Sequence, residues 1–254
     1  MDLEICVDSV ESAIAAEKGG AQRVELCSAL DEGGLTPSAG LLRTVRSRVG
    51  IGVYVMIRPR GGDFLYSAEE LAVMREDIAF AGSCGAQGVV FGLLTADGNV
   101  DIEAARALVQ LAAPMEVTFH RAIDMSRDPV VSVEDVIRTG ARRILTSGAE
   151  PSAQQGIPRI AQMMKVAKGR IGVMVCGSVR AENVQEIAHA TGASEFHAAL
   201  RNSVPSPVVY QNHTLHLGSP DSDEYGRQVV LVEDVRNLRQ AMETAVADRE
   251  AAHI

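Results

Sequence analysis

Cys6 and Cys27 each close a short apolar segment, in Glu4-Ile5-Cys6-Val7-Asp8 and in Arg23-Val24-Glu25-Leu26-Cys27. If these segments are neighbouring parallel strands, alternation turns both thiols to one side, and adjacent strands lie only about 4.8 Å apart. Two thiolates at that spacing can share one ion. Soft sulfur ligands favour Cu(I), and Met56, Met174 and Cys176 are further soft donors. The plainer alternative is a pair of packed thiols, since free cysteine is among the most buried residue types. Cys27 as a catalytic nucleophile lacks an assignable histidine partner. Cys84, just before Gly85, reads as a small packing group.

A second constellation is basic. Met56-Ile57-Arg58-Pro59-Arg60-Gly61-Gly62-Asp63-Phe64 sets two arginines around a proline and then two glycines. Guanidinium forks hold carboxylate or phosphate through paired bonds, so Arg58 and Arg60 are candidates for binding an anion. The alternative is that they neutralise Glu25, Glu116 and Asp8. Thr118-Phe119-His120-Arg121-Ala122-Ile123-Asp124 adds an imidazole between charged neighbours. His120 there suits general acid–base work or a metal, with Glu25 and Asp124 as further acid–base candidates, or it is a structural hydrogen-bonder. Thr146-Ser147-Gly148 and Cys176-Gly177-Ser178 precede helical segments, where free N–H groups can cradle phosphate or simply make a turn.

These residues need elements that bring them to one place. Short apolar runs begin near Leu3, Arg23, Gly52, Gly88, Met115, Arg143, Ile171 and Ser194, and amphipathic stretches separate them. Strand–helix alternation of this kind predicts parallel βαβ units. Ser67 and Asp101 mark helix starts, Gly19-Gly20, Gly140 and Gly192 mark helix ends, and Pro37, Pro129 and Pro158 fall where first turns should begin. Eight such units predict an α/β fold, a (β/α)8 TIM barrel, forming one domain over residues 1–254. An open doubly wound sheet is the rival, but Asp8-Ser9-Val10-Glu11 follows the first strand where a glycine-rich dinucleotide loop would stand. Residues 202–228 lose periodicity and predict an extended loop after strand eight, with a closing helix over 229–250.

Barrel parity then sorts the strands, because the face toward the helices must be apolar. It turns Glu4, Cys6 and Asp8 inward on strand one, Arg23, Glu25 and Cys27 on strand two, and Tyr54, Met56 and Arg58 on strand three. Glu116, Thr118 and His120 point inward on strand five, Met174 and Cys176 on strand seven, and Glu195 and His197 on strand eight. Strands four and six stay ambiguous. So polar an interior, with chemistry at the strand C-termini, marks a ligand site formed by Asp8, Arg58, Arg60, Arg121, Ser147, Gly177, Ser178 and His197.

The 254 residues are 46% hydrophobic and 22% charged, the composition of a packed globular chain. Net charge is −9, without a basic tail, which argues against nucleic acid and anionic membranes as partners. The acidic N-terminus and the lack of a long apolar run predict a cytoplasmic protein, and the scattered cysteines predict reduced thiols.

Together the motifs resemble the copper homeostasis protein family CutC, TIM-barrel proteins distinct from the choline lyase of that name. The resemblance rests on MIRPRGGDF and TFHRAID, supported by Glu4 to Ser9, Arg23 to Ser28, Glu32 to Ser38, Leu145 to Gly148 and Glu195-Phe196-His197. It implies copper tolerance, a homo-oligomer, and Cu(I) bound by Cys6 and Cys27; no reaction is assigned to the family. The alternative function is an enzyme acting on a small anionic or phosphorylated metabolite. Two departures stand out: Cys176 where relatives tend to carry glycine, and Ala198-Ala199 where serine is expected after His197.

Overall fold

Eight short segments, seven of them carrying β-branched residues, pair side by side in parallel and close on themselves: β1 (Asp2–Val7), β2 (Arg23–Leu26), β3 (Gly52–Met56), β4 (Gly88–Phe91), β5 (Glu116–Phe119), β6 (Arg143–Thr146), β7 (Gly172–Val175) and β8 (Glu195–Ala198). β8 returns to β1, so the barrel itself has no edge strand. The computed structural model describes residues 1–215 and 225–251, the side chains of 248–251 excepted. Helices alternate with the strands: α1 (Val10–Gly19), α2 (Ala39–Arg48), α3 (Ala68–Ser83), α4 (Ile102–Ala112), α5 (Pro129–Thr139), α6 (Ala153–Ala167), α7 (Val184–Thr191) and α8 (Val232–Ala251). The architecture is a TIM barrel.

Local chemistry explains the helix limits. Ser67 and Glu70 form a reciprocal capping box at α3, Asp101 caps α4, and Gly20, Gly140 and Gly192 end their helices in the left-handed conformation. Of the three prolines, only Pro129 opens a helix. Pro37 precedes the Ser38 cap, and Pro158 lies inside α6, whose start is set instead by the Ser152 side chain accepting from Gln155 N–H.

The main apolar core lies between barrel and helices, where Leu3, Ile5, Val24, Leu26, Val53, Val55, Val117 and Phe119 are buried. β4 and β6 resolve here: Val89, Phe91 and Ile144 join this outer layer. Val90 packs with Cys6 and Cys27, and Leu145 packs with Met174 and Cys176 inside the barrel.

After β8 the chain departs from a plain loop. β9 (Arg201–Pro205) and β10 (Gly226–Val230) pair antiparallel, with Val229 opposite Asn202. Their side chains are mostly half-buried or exposed and many are polar, which hides the strand pattern from sequence periodicity. The ribbon is tied to the barrel where Val230 N–H donates to Ser12 Oγ at 3.1 Å and Asn202 Nδ2 donates to Asp234 at 2.7 Å. The centre of the expected loop, 216–224, lies outside the described residues.

One helix contact has a measurable consequence. A Cβ on Gly156 of α6 would lie 1.8 Å from the Ser147 carbonyl oxygen, which belongs to the backbone after β6 and cannot swing aside. Gly156→Ala must push α6 off the barrel and is expected to cost about 2 kcal/mol, the usual range for overpacking. Urea unfolding measures it, and a loss below about 0.5 kcal/mol would contradict the account.

Candidate functional site

Register builds the site from its floor upward. Glu4 on β1 stands between Arg23 on β2 and His197 on β8, and Cys6 stands opposite Glu25. At the floor, Arg23 Nε donates to Glu4 at 2.8 Å and Nη2 donates to Glu195 at 2.7 Å; Arg143 joins Glu195 at 2.9 Å to Glu116 at 2.8 Å. Tyr54 donates to Glu116 at 2.6 Å and lies under both guanidiniums. Every charge in this layer is thereby paired, as burial requires. Burial and the bond to Glu116 push the Tyr54 phenol up to about 12.

Above it sits the thiol pair. The Cys6 and Cys27 sulfurs are 3.9 Å apart and in hydrogen-bonding contact, and Cys27 Sγ is 3.5 Å from Glu25 Oε2. Both cysteines are buried with Tyr54, Met56 and Val90. Gly34, at φ +90°, roofs them: a Cβ there would lie 3.2 Å from Cys27 Sγ in a conformation that disfavours side chains. His197 closes the cluster, its Nδ1 2.8 Å from Glu4 Oε1 and its Nε2 3.8 Å from Glu25 Oε2.

The electrostatics follow from these contacts. The Cys27 hydrogen bond outweighs burial and, with His197, lowers Cys6 to about 5, which makes Cys6 the more acidic thiol of the pair. The bond to Cys6 and then burial raise Cys27 well above its usual value. Burial, reinforced by the Cys6 charge, likewise raises Glu25. Burial alone would raise Glu4 and lower His197. The His197 bond and the Arg23 charge instead bring Glu4 to about 2, and the Glu25, Cys6 and Glu4 interactions raise His197 well above its usual value.

A cavity of about 330 Å³ opens above the cluster. Of the residues singled out by sequence, Cys6, Glu25, Arg58, His120, Arg121, Gly177, Ser178 and His197 line it. Arg58 does not pair with Glu25, Glu116 or Asp8. It donates to the carbonyls of Glu32, Gly34 and Gly62 and stacks on Phe64, tying together the loops after β2 and β3.

Cys27 is sealed beneath the cavity, and four other expected residues stand outside its lining. Arg60 turns outward to Glu70 and Asp63. Asp8 lies past the end of β1, half-buried, where burial raises its carboxyl despite the Arg201 charge. Asp124 is spent on structure, accepting from Arg121, Thr146, Ser147 and the Ala149 N–H. Ser147, donating to Glu150 O, belongs to the same knot. Among the soft donors only Met56 joins the thiol pair; Met174 accepts from Arg23, and Cys176 packs beside it. Cys84, partly buried, ends α3.

Sequence reasoning did not assign Glu4 as the orienter of His197, nor Arg180 and Arg201 at the cavity mouth. Inward parity marked Glu4. Nothing local marked the two arginines: Arg180 lies in the loop after β7, and Arg201 opens β9.

The profile described as the CutC family matches residues 1–202. This chain belongs to the CutC family. Relatives include the copper homeostasis protein cutC homolog of Mus musculus, 50% identical over 93% of this chain and 87% of the relative, and its Homo sapiens counterpart at 48% over the same shares. A CutC-family protein of Chromobacterium violaceum is 49% identical over 96% of this chain and 98% of its own. The crystal structure of the copper homeostasis protein CutC from Streptococcus agalactiae superposes with a TM-score of 0.74 at 35% identity, covering 78% of this CutC-family chain and 97% of that one. Thiamine phosphate pyrophosphorylase from Pyrococcus furiosus, at 14% identity and TM-score 0.59, shares the barrel alone.

Proposed function

We propose that this CutC-family protein serves copper homeostasis in the cytoplasm by holding Cu(I) between Cys6 and Cys27. The observation that carries this reading is the 3.9 Å separation of two buried sulfurs at the base of an open cavity. Sulfurs so spaced would be close enough for both to hold one soft metal ion. Met56 is the soft side chain beside them. Cys6 reaches the cavity and gives the ion its entry, while Cys27 is sealed beneath. The relatives' copper homeostasis names support the reading, and free thiols suit a reducing compartment. No helix among the described residues is long and apolar enough to cross a membrane.

Anaerobic Cu(I) titration against a competing chelator tests it. Wild type should take one tightly held equivalent, and the Cys6→Ser, Cys27→Ser double variant should lose it. Equal binding by both proteins would end the proposal. A homo-oligomer is part of the same reading, supported by exposed Met125 and Val131 on the segment after β5, and light scattering measures it directly.

A further inference from the structure

The cavity above the thiols holds polar groups that a copper site does not need. His120 is buried, and its Nδ1 accepts from the Ala122 N–H at 3.2 Å. That bond fixes the tautomer of the neutral ring: the proton must sit on Nε2, which is therefore a donor. Among the described residues, buried His120 Nε2 has no hydrogen-bond partner. Arg58 Nε, equally buried, has none either.

Both side chains line the cavity and both pack on one ring. Arg58 Cζ is 5.0 Å and the His120 ring centroid 4.9 Å from the Phe64 ring centre. A desolvated N–H donor left unpaired is costly, and an acceptor supplied by a ligand in this cavity would recover that cost. Neither atom can ligate a metal, because both carry hydrogen and present no lone pair.

The mouth repeats the preference. Arg121, Arg180 and Arg201 line it, in a chain of net charge −9. Their protein contacts use only part of their N–H groups: Arg121 holds Asp124 and Ser147, Arg180 donates to Val179 O, and Arg201 pairs with Asp31. The walls between mouth and floor are apolar, formed by Leu30, Phe64 and Leu145, so a bare inorganic ion would leave them uncovered.

We propose that this cavity binds a small organic oxyanion, a short carbon skeleton bearing carboxylate or phosphate, whose oxygens accept from Arg58 Nε–H and His120 Nε2–H and whose charge faces Arg121, Arg180 and Arg201. The site goes beyond the copper reading and does not depend on it, since it uses neither cysteine.

Calorimetric titration of copper-free protein, kept so with a Cu(I) chelator, tests the proposal with succinate, citrate, glycerol 3-phosphate and inorganic phosphate as probes. At least one organic anion should bind with a Kd below about 1 mM. A preference for succinate or citrate identifies a carboxylate ligand, and a preference for glycerol 3-phosphate a phosphate ester. His120→Phe, which keeps the ring contact with Phe64 and removes the donor, should weaken binding at least about tenfold. If that variant fails to fold, the exposed-mouth double variant Arg121→Ala, Arg180→Ala should still lose about fivefold or more. The Cys6→Ser, Cys27→Ser protein should still bind the organic anion, although Cys6 lines the same cavity. The proposal is overturned if no organic anion binds in that range, if binding is unchanged in the cavity variants, or if it disappears with the cysteines.

Discussion

Replacing Arg23 by alanine is expected to destabilise the protein by about 3–5 kcal/mol, the range for removing one partner of a buried ion pair. Arg23 is 5% exposed and faces Glu4, which is 0% exposed, at 2.8 Å and Glu195 at 2.7 Å. Without it, Glu4 keeps only His197, and Glu195 keeps only Arg143. The cost comes from stranding a carboxylate rather than from the worth of the pair itself, because desolvating both ions consumes most of their attraction. The Arg23→Met, Glu4→Gln double variant should therefore recover much of the loss. Urea unfolding at neutral pH decides it: a single-variant loss below about 1 kcal/mol would mean that water reaches Glu4 and that the floor is not dry.

The second large effect is on acid stability. Burial, with Arg58 adding, depresses His120 to about 3 from an ordinary 6.5. As pH falls, the unfolded chain takes up this proton before the folded one does. The stability it contributes is therefore whole above pH 6.5 and drains away on acidification toward pH 3. At 1.36 kcal/mol per pH unit, about 3 kcal/mol should be lost between pH 7 and 4.5. His197, raised in the fold, works in the opposite direction over part of that window. Comparing wild type with His120→Phe cancels that contribution, along with the pH-independent loss of the Ala122 contact. The variant should show a pH slope shallower by about one proton; equal slopes would place His120 in contact with solvent or protonated in the fold.

These two residues also show how far local pattern reaches. The eight strand starts read from sequence fall within a residue of those observed, because hydrophobic alternation and helix caps are written within a few positions of each strand. Strands four and six resisted for a physical reason: Gly88-Val89-Val90-Phe91 is apolar on both faces, and Arg143-Ile144-Leu145-Thr146 has one polar end on each. The barrel decides them by closing. Asp124, Ser147 and Arg60 were expected at the cavity because they follow strand C-termini. They instead serve the loops themselves, since proximity to the rim does not set the direction of a side chain beyond the strand. β9 and β10 escaped because a short, only partly buried ribbon needs no apolar alternation.

The sequence by itself determined the barrel, the starts of its eight strands and the shared inward side of Cys6 and Cys27, since period-two alternation is a property of neighbouring residues. The tertiary structure decided the rest: the 3.9 Å between the sulfurs, the His197–Glu4 contact across 193 positions, and the two donors left unpaired at His120 and Arg58. Those depend on the register between strands and on closure of β8 against β1, and no segment of the chain carries that information alone.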